Sequence, residues 1–215
     1  MVRRPFINMD ITGYFDDTPG ANKSIIVIHE TVSHDHSGLS DIKSIASYLG
    51  SKGLGIHLIV DQEGKSGYSF DEGAIYAHAR GNNTDTIGIE LISFIPALRL
   101  TPWKRFRIWL SRERQLHKAA RWCAYYSDRH GFPLRYSGGK VPGITSHYDI
   151  SIVNNVSGGH WDAKPKHKGG HFPIKRLVKL AKLYKSGKLA YAPIRSFKMG
   201  KSTEINKKKT RPHRE

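Results

Sequence analysis

The chain has 215 residues, 38% of them hydrophobic, and a formal net charge of +17 at pH 7. That length suits one domain of ordinary size plus a tail. No run nears the roughly 18 apolar residues of a membrane span, and the single cysteine, Cys123, excludes an internal disulfide framework. The charge favours a polyanionic partner (nucleic acid, anionic lipid or an acidic wall) without choosing among them.

Residues 1–22 read as an irregular lead-in, with Asp16-Asp17-Thr18-Pro19-Gly20 as turn chemistry. The first residues are basic, but no apolar stretch follows, so no secretory signal is expected and the product starts in the cytoplasm. Ser24 to Glu30 is a continuous apolar run that suits a central strand buried on both faces. A polar loop from Thr31 to Gly38 leads to a helix capped by Ser40, with Ile42, Ile45, Ala46 and Leu49 at helical spacing and Gly53 and Gly55 at its end. Ile56 to Asp61 is a second strand, and Gln62-Glu63-Gly64-Lys65 turns it back through Ser66 to Phe70 as a hairpin. Thr86 to Ser93 is a further strand with Glu90 inside it. One long helix is predicted between Pro102 and Arg129, with Leu110, Leu116, Ala119, Ala120, Cys123 and Tyr126 inward and Gly131 and Pro133 as its stop. Cys123 reads there as a small packing residue. Val141 to Ile150 reads as a loop around His147, and Asn154 to Gly159 as a second flexible stretch. Pro173 to Leu183 makes a last helix with lysines outward. Strands alternating with helices give the α/β class: one domain over residues 23–190, a central mixed β-sheet flanked by helices, with the functional site at the strand ends. Residues 191–215 read as a basic, disordered tail, whose end, Asn206 to Glu215, lacks apolar residues.

Four separated stretches carry chemistry: the strand ending in Ile28-His29-Glu30-Thr31, the strand Ile87-Gly88-Ile89-Glu90-Leu91, Ser146-His147-Tyr148-Asp149, and His160-Trp161-Asp162. Two histidines and a carboxylate can hold zinc and leave one position open, and a separate glutamate can then move protons, which is the minimum of a metal-assisted hydrolase. Taken singly the residues are ambiguous. His29 and His147 could each be hydrogen-bonded core histidines in a chain that has 12. Strand alternation puts Glu90 on one face with Gly88 and Ile92, either towards solvent or beside a ligand that Gly88 lets approach.

Together, in order and spacing, these segments resemble the type 2 family of zinc-dependent N-acetylmuramoyl-L-alanine amidases, which includes phage endolysins and the peptidoglycan recognition proteins. The resemblance covers roughly residues 22 to 185. It rests on Ile28-His29-Glu30-Thr31, Ile56-His57-Leu58-Ile59 through Gly64, Ala77-His78-Ala79-Arg80-Gly81, Asn83 through Glu90, and His147-Tyr148-Asp149. It implies that His29, His147 and Asp162 are ligands of Zn2+, and that Glu90 is the catalytic proton carrier. His160 would stand where the family has a lysine that stabilises the oxyanion. His160, His167 and His171 compete with Asp162 for the third ligand position, because the family's Pro-Gly is missing here. The family's catalytic tyrosine is replaced by Ile56. His57 and His78 would line the groove or orient neighbours. The activity implied is cleavage of peptidoglycan between N-acetylmuramic acid and L-alanine by zinc-activated water, in the manner of a phage lysin that reaches the cell wall after release. The expected partners are peptidoglycan and, through the basic C-terminal region, anionic wall polymers. A monomer is expected, with no membrane insertion and no stable nucleic-acid partner. The rival functions are a non-catalytic peptidoglycan-binding protein on the same scaffold and a basic nucleic-acid-binding protein; the latter leaves His29, Glu90 and His147 unexplained.

Overall fold

The computed structural model describes residues 1–16, 18–20, 22–31, 39–95, 98–156, 160 and 162–190. Most of the polar loop after Thr31, the end of the stretch from Asn154 to Gly159, Trp161 and the basic tail lie outside the described residues. Six strands form one mixed sheet in the order β1-β4-β3-β5-β2-β6. They are β1 (Met9–Asp10), β2 (Ile25–Glu30), β3 (Leu58–Val60), β4 (Ser66–Tyr68), β5 (Thr86–Leu91) and β6 (Gly143–Ser146). All neighbours run parallel except the β3–β4 hairpin. Five helices are described: α1 (Leu39–Ser51), α2 (Pro102–Ser111), α3 (Glu113–Arg129), α4 (His147–Val153) and α5 (Ile174–Lys185).

The central strands β2 and β5 are largely apolar and buried at every residue because both faces are covered. Ile26 and Ile28 of β2, with Ile87, Ile89 and Leu91 of β5 and Leu58 and Val60 of β3, point into a core completed by α3 and α5. On the opposite face Ile59 and Ile92 pack with Ile42 and Ala46 of α1, while Ile25 and Val27 meet Ile150 of α4. Each fully buried isoleucine, leucine or valine among them contributes about 1.5–3 kcal/mol. Helix α1 ends where Gly53 turns left-handed (φ 65°) and the Leu54 N–H closes on the Leu49 carbonyl at 2.9 Å.

Three local readings change. The lead-in is partly ordered: β1 pairs with β4, and Ile11 is fully buried against α1's cluster. The long helix is two helices, broken at Arg112 (φ −85°, ψ 52°) with no proline or glycine. The break lets Arg112 Nη1 and Gln115 Nε2 reach the Ile92 carbonyl at 3.2 and 3.0 Å, and Gln115 also reaches Val60 O at 2.9 Å. The buried Ile92 carbonyl, just past β5, thus finds donors, and the Val60 carbonyl at the end of β3 gains a second one beside the Ile92 N–H. It also puts Trp109, not Leu110, wholly in the core. Finally, His147 does not sit in a loop. Gly143–Ser146 is a short strand beside β2, and His147 opens α4. A reciprocal cap between Ser146 and Asp149 starts that helix, a signal that the surrounding glycines and proline hide in the sequence.

Candidate metal and catalytic site

The site forms at the C-terminal ends of β2, β5 and β6, where an α/β sheet leaves a crevice for ligands. His29 is the fifth residue of β2 and the direct cross-strand partner of Glu90 in β5. Both side chains leave the sheet on the face occupied by Val27 and Gly88. His147 arrives from β6 as the first residue of α4. Asp162 comes from the segment that follows α4.

The sequence-predicted donors converge. His147 Nδ1 lies 3.0 Å and His29 Nδ1 3.5 Å from the same oxygen, Asp162 Oδ2. One ligand atom from each of the three residues falls within 4.8 Å of the others. The rings of His29 and His147 are 4.3 Å apart. Burial, then the neighbouring His147 ring, lowers the pKa of His29 to about 4, so it is neutral at pH 7. Burial would raise the carboxyl of Asp162, but the His147 and His29 rings outweigh it and hold it well below the usual carboxylate range.

Hydrogen bonding fixes which nitrogen of His29 carries its proton. The Thr86 hydroxyl donates to the Asn82 carbonyl. Its oxygen therefore accepts from His78 Nε2–H at 3.1 Å, because a hydroxyl has one hydrogen to give. His78 Nδ1 is then a bare acceptor, and it takes the Nε2–H of His29 at 3.1 Å. That leaves the lone pair of His29 Nδ1 facing the Asp162 carboxylate. Two imidazoles and one carboxylate so placed are a donor set that fits Zn2+.

Glu90 is buried, with 8% of its surface exposed. Burial first, then the charges of Asp162 and Glu30, push its pKa well above the ordinary carboxylate value. His160 lies at the rim with about half of its side chain exposed. It stacks on the His147 ring at 3.8 Å and 18°, and its Nδ1 is 4.0 Å from Asp162 Oδ1. These residues line a groove of about 710 Å³ whose walls include Leu49, Leu54, Ile56 and Arg80.

The other histidines take different places. His57 is a core strut: its Nδ1 accepts the Gly88 N–H at 3.1 Å and its Nε2–H donates to Ala74 O at 3.0 Å, with burial lowering its pKa to about 3. His167 packs edge-on against Tyr136. His171 Nε2 donates to Glu30 Oε2 at 2.9 Å. Among the described residues neither joins the donor group. Gly88 makes room for His78 and Ile56: a Cβ there would stand 2.9 Å from His78 Cγ and 2.2 Å from Ile56 Cδ1.

Sequence reasoning passes over two features. One is the line Asn82–Thr86–His78 behind His29. The other is Glu30, buried at the end of β2 and surrounded by donors. The signal for Glu30 was legible: two ionisable residues in succession at the end of a doubly buried strand must point to opposite faces.

None of the curated proteins matches the chain. Solved structures do. Staphylococcus aureus hydrolase AmiA is 19% identical, with 88% of this chain and 89% of that one covered and a TM-score of 0.61. The N-acetylmuramoyl-L-alanine amidase LysC of Clostridium intestinale is 19% identical over 81% of this chain and 95% of its own (TM-score 0.51). PlyL is 10% identical over 87% and 100% (TM-score 0.54). At these identities the likeness is one of fold. The family model for N-acetylmuramoyl-L-alanine amidase, Amidase_2, matches residues 19–165, a span that takes in His29, Glu90, His147 and Asp162. The chain therefore belongs to the N-acetylmuramoyl-L-alanine amidase family.

Proposed function

We propose that the protein is a zinc-dependent amidase that hydrolyses the bond between N-acetylmuramic acid and L-alanine in peptidoglycan. The observation that carries this is the convergence of His29 Nδ1 and His147 Nδ1 on one oxygen of Asp162, with buried Glu90 beside them. His29, His147 and Asp162 would hold the ion. Zinc, when bound, supplies Lewis acidity that polarises a carbonyl and acidifies water.

The remaining work falls to the chain's own side chains. Glu90, as its carboxylate, takes a proton from the attacking water and, in the protonated form that its burial favours, delivers that proton to the leaving nitrogen of L-alanine. His160, seated at the rim, offers a ring N–H to the oxygen that gains negative charge. Ile56, on the groove wall, offers only apolar contact. The groove walls orient the glycan and stem peptide. The intact donor set and the buried acid favour catalysis over binding alone. The phage-lysin role belongs to the same reading: a protein that meets peptidoglycan after release, with its positive charge drawn to the anionic wall.

Zinc analysis of the purified protein, paired with release of new alanine N-termini from cell walls, tests this. One zinc per chain with alanine release is expected. Zinc-loaded protein that adheres to walls and frees no alanine would replace the enzyme reading with the binding one.

A further inference from the structure

Two consecutive residues of β2 grip two consecutive residues of the segment after α4. His29 leaves the sheet on the groove side and meets Asp162. Glu30 leaves it on the other side, and its Oε2 accepts the backbone N–H of Ala163 at 2.9 Å. The segment therefore straddles the end of the strand. Ala163 is fully buried and left-handed (φ 51°), a conformation that a non-glycine residue keeps only when its surroundings hold it.

Glu30 is itself fixed on both oxygens. Oε1 accepts Trp109 Nε1–H at 2.8 Å and the Ser93 hydroxyl at 3.3 Å. Oε2 accepts His171 Nε2–H at 2.9 Å as well as Ala163 N–H. Two of these donors, the Ala163 amide and the Trp109 indole, cannot become acceptors. Only a side chain that accepts at both ends satisfies them, so an ionised carboxylate fits and a carboxamide does not.

We infer that Glu30 is a positioning residue for the third metal donor. It locks the Asp162–Ala163 pair across the end of β2 and so sets where the Asp162 carboxylate stands relative to His29 and His147. Nothing in the amidase reading requires an acid at this place. The inference rests on the metal reading of His29, His147 and Asp162.

The experiment is a zinc-affinity cycle on the full chain, by competition with a chromophoric chelator, with Co2+ absorption as a report on ligand geometry. Glu30→Gln should weaken zinc binding by about ten- to a hundredfold and change the Co2+ spectrum. Trp109→Phe, which keeps the Ala163 contact, should bind zinc as the parent does. On an Asp162→Ala background, Glu30→Gln should cost nothing further. Glu30→Asp keeps the charge but falls short of Ala163, and it serves if Glu30→Gln does not fold; it too should weaken binding. Parent-like affinity in a folded Glu30 variant, or full additivity with Asp162→Ala, overturns the inference while leaving the metal site standing. A parent that takes up no zinc overturns the metal reading and this inference with it.

Discussion

Glu90 stands directly opposite His29 across the β2–β5 ladder, in register and on the same face of the sheet. A fixed strand pairing, rather than a loop, thus sets the spacing between the proposed metal donor and the acid beside it. Rigid elements hold such geometry better than loops.

Glu90→Gln should keep the hydrogen-bonding shape and the zinc while losing the proton carrier. The expected drop in alanine release is about 10²–10⁴-fold, with zinc content unchanged by elemental analysis. Residual activity near the parent's would remove Glu90 from the mechanism.

Thr86→Val should unsettle His29 from two residues away. It leaves His78 Nε2–H without the acceptor it has now and frees His78 to turn. Zinc affinity is expected to fall about tenfold. In the zinc-bound parent, nitrogen NMR should show His29 protonated at Nε2; a proton on Nδ1 would contradict the hydrogen-bond chain.

Gly88→Ala should destabilise the protein by about 1–3 kcal/mol and displace His78. The added methyl would stand 2.2 Å from Ile56 Cδ1 and 2.9 Å from His78 Cγ, so both side chains would have to shift. Denaturant unfolding measures the first effect. Zinc affinity measures the second.

Acid should weaken the opposite end of the sheet through Glu72. Burial alone would raise this carboxyl, but the His130 ring and the hydroxyls of Tyr68 and Tyr125 outweigh it and bring its pKa to about 2, from an ordinary 4.5. A depressed carboxyl stabilises the fold above its unfolded value and loses that contribution as pH falls through the folded one. The stability gap between the parent and Glu72→Gln should therefore be full above about pH 5 and close between 4.5 and about 2. A gap that stays constant across that range would show that Glu72 acts by shape, not charge.

Much of this was legible in the sequence because the fold is written in its hydrophobic runs. β2 and β5 are largely apolar segments, and α5 shows helical spacing with lysines outward. A residue such as His29 or Glu90 stands out against that background. Less legible was anything set by contacts distant along the chain. The break at Arg112 carries no local mark, since it is stabilised by distant carbonyls: Ile92, twenty residues from Arg112, and Val60, fifty-five residues from Gln115. His147 read as a loop residue because its strand has only four residues and is bordered by glycine and proline. Gly88 was recognised as making space, yet the space belongs to His78 and Ile56. Glu30's face was legible from strand alternation, but its donors at Ser93, Trp109, Ala163 and His171 come from distant parts of the chain.

The family match stops at residue 165, yet His171 on Glu30 and all of α5 lie past that point. A recombinant fragment cut at the match boundary would strip one donor from the buried acid and open the apolar side of the sheet to water. Anyone grafting this domain into a chimeric lysin should carry it through Lys185. The shorter version would fail by insolubility before its chemistry could be assayed.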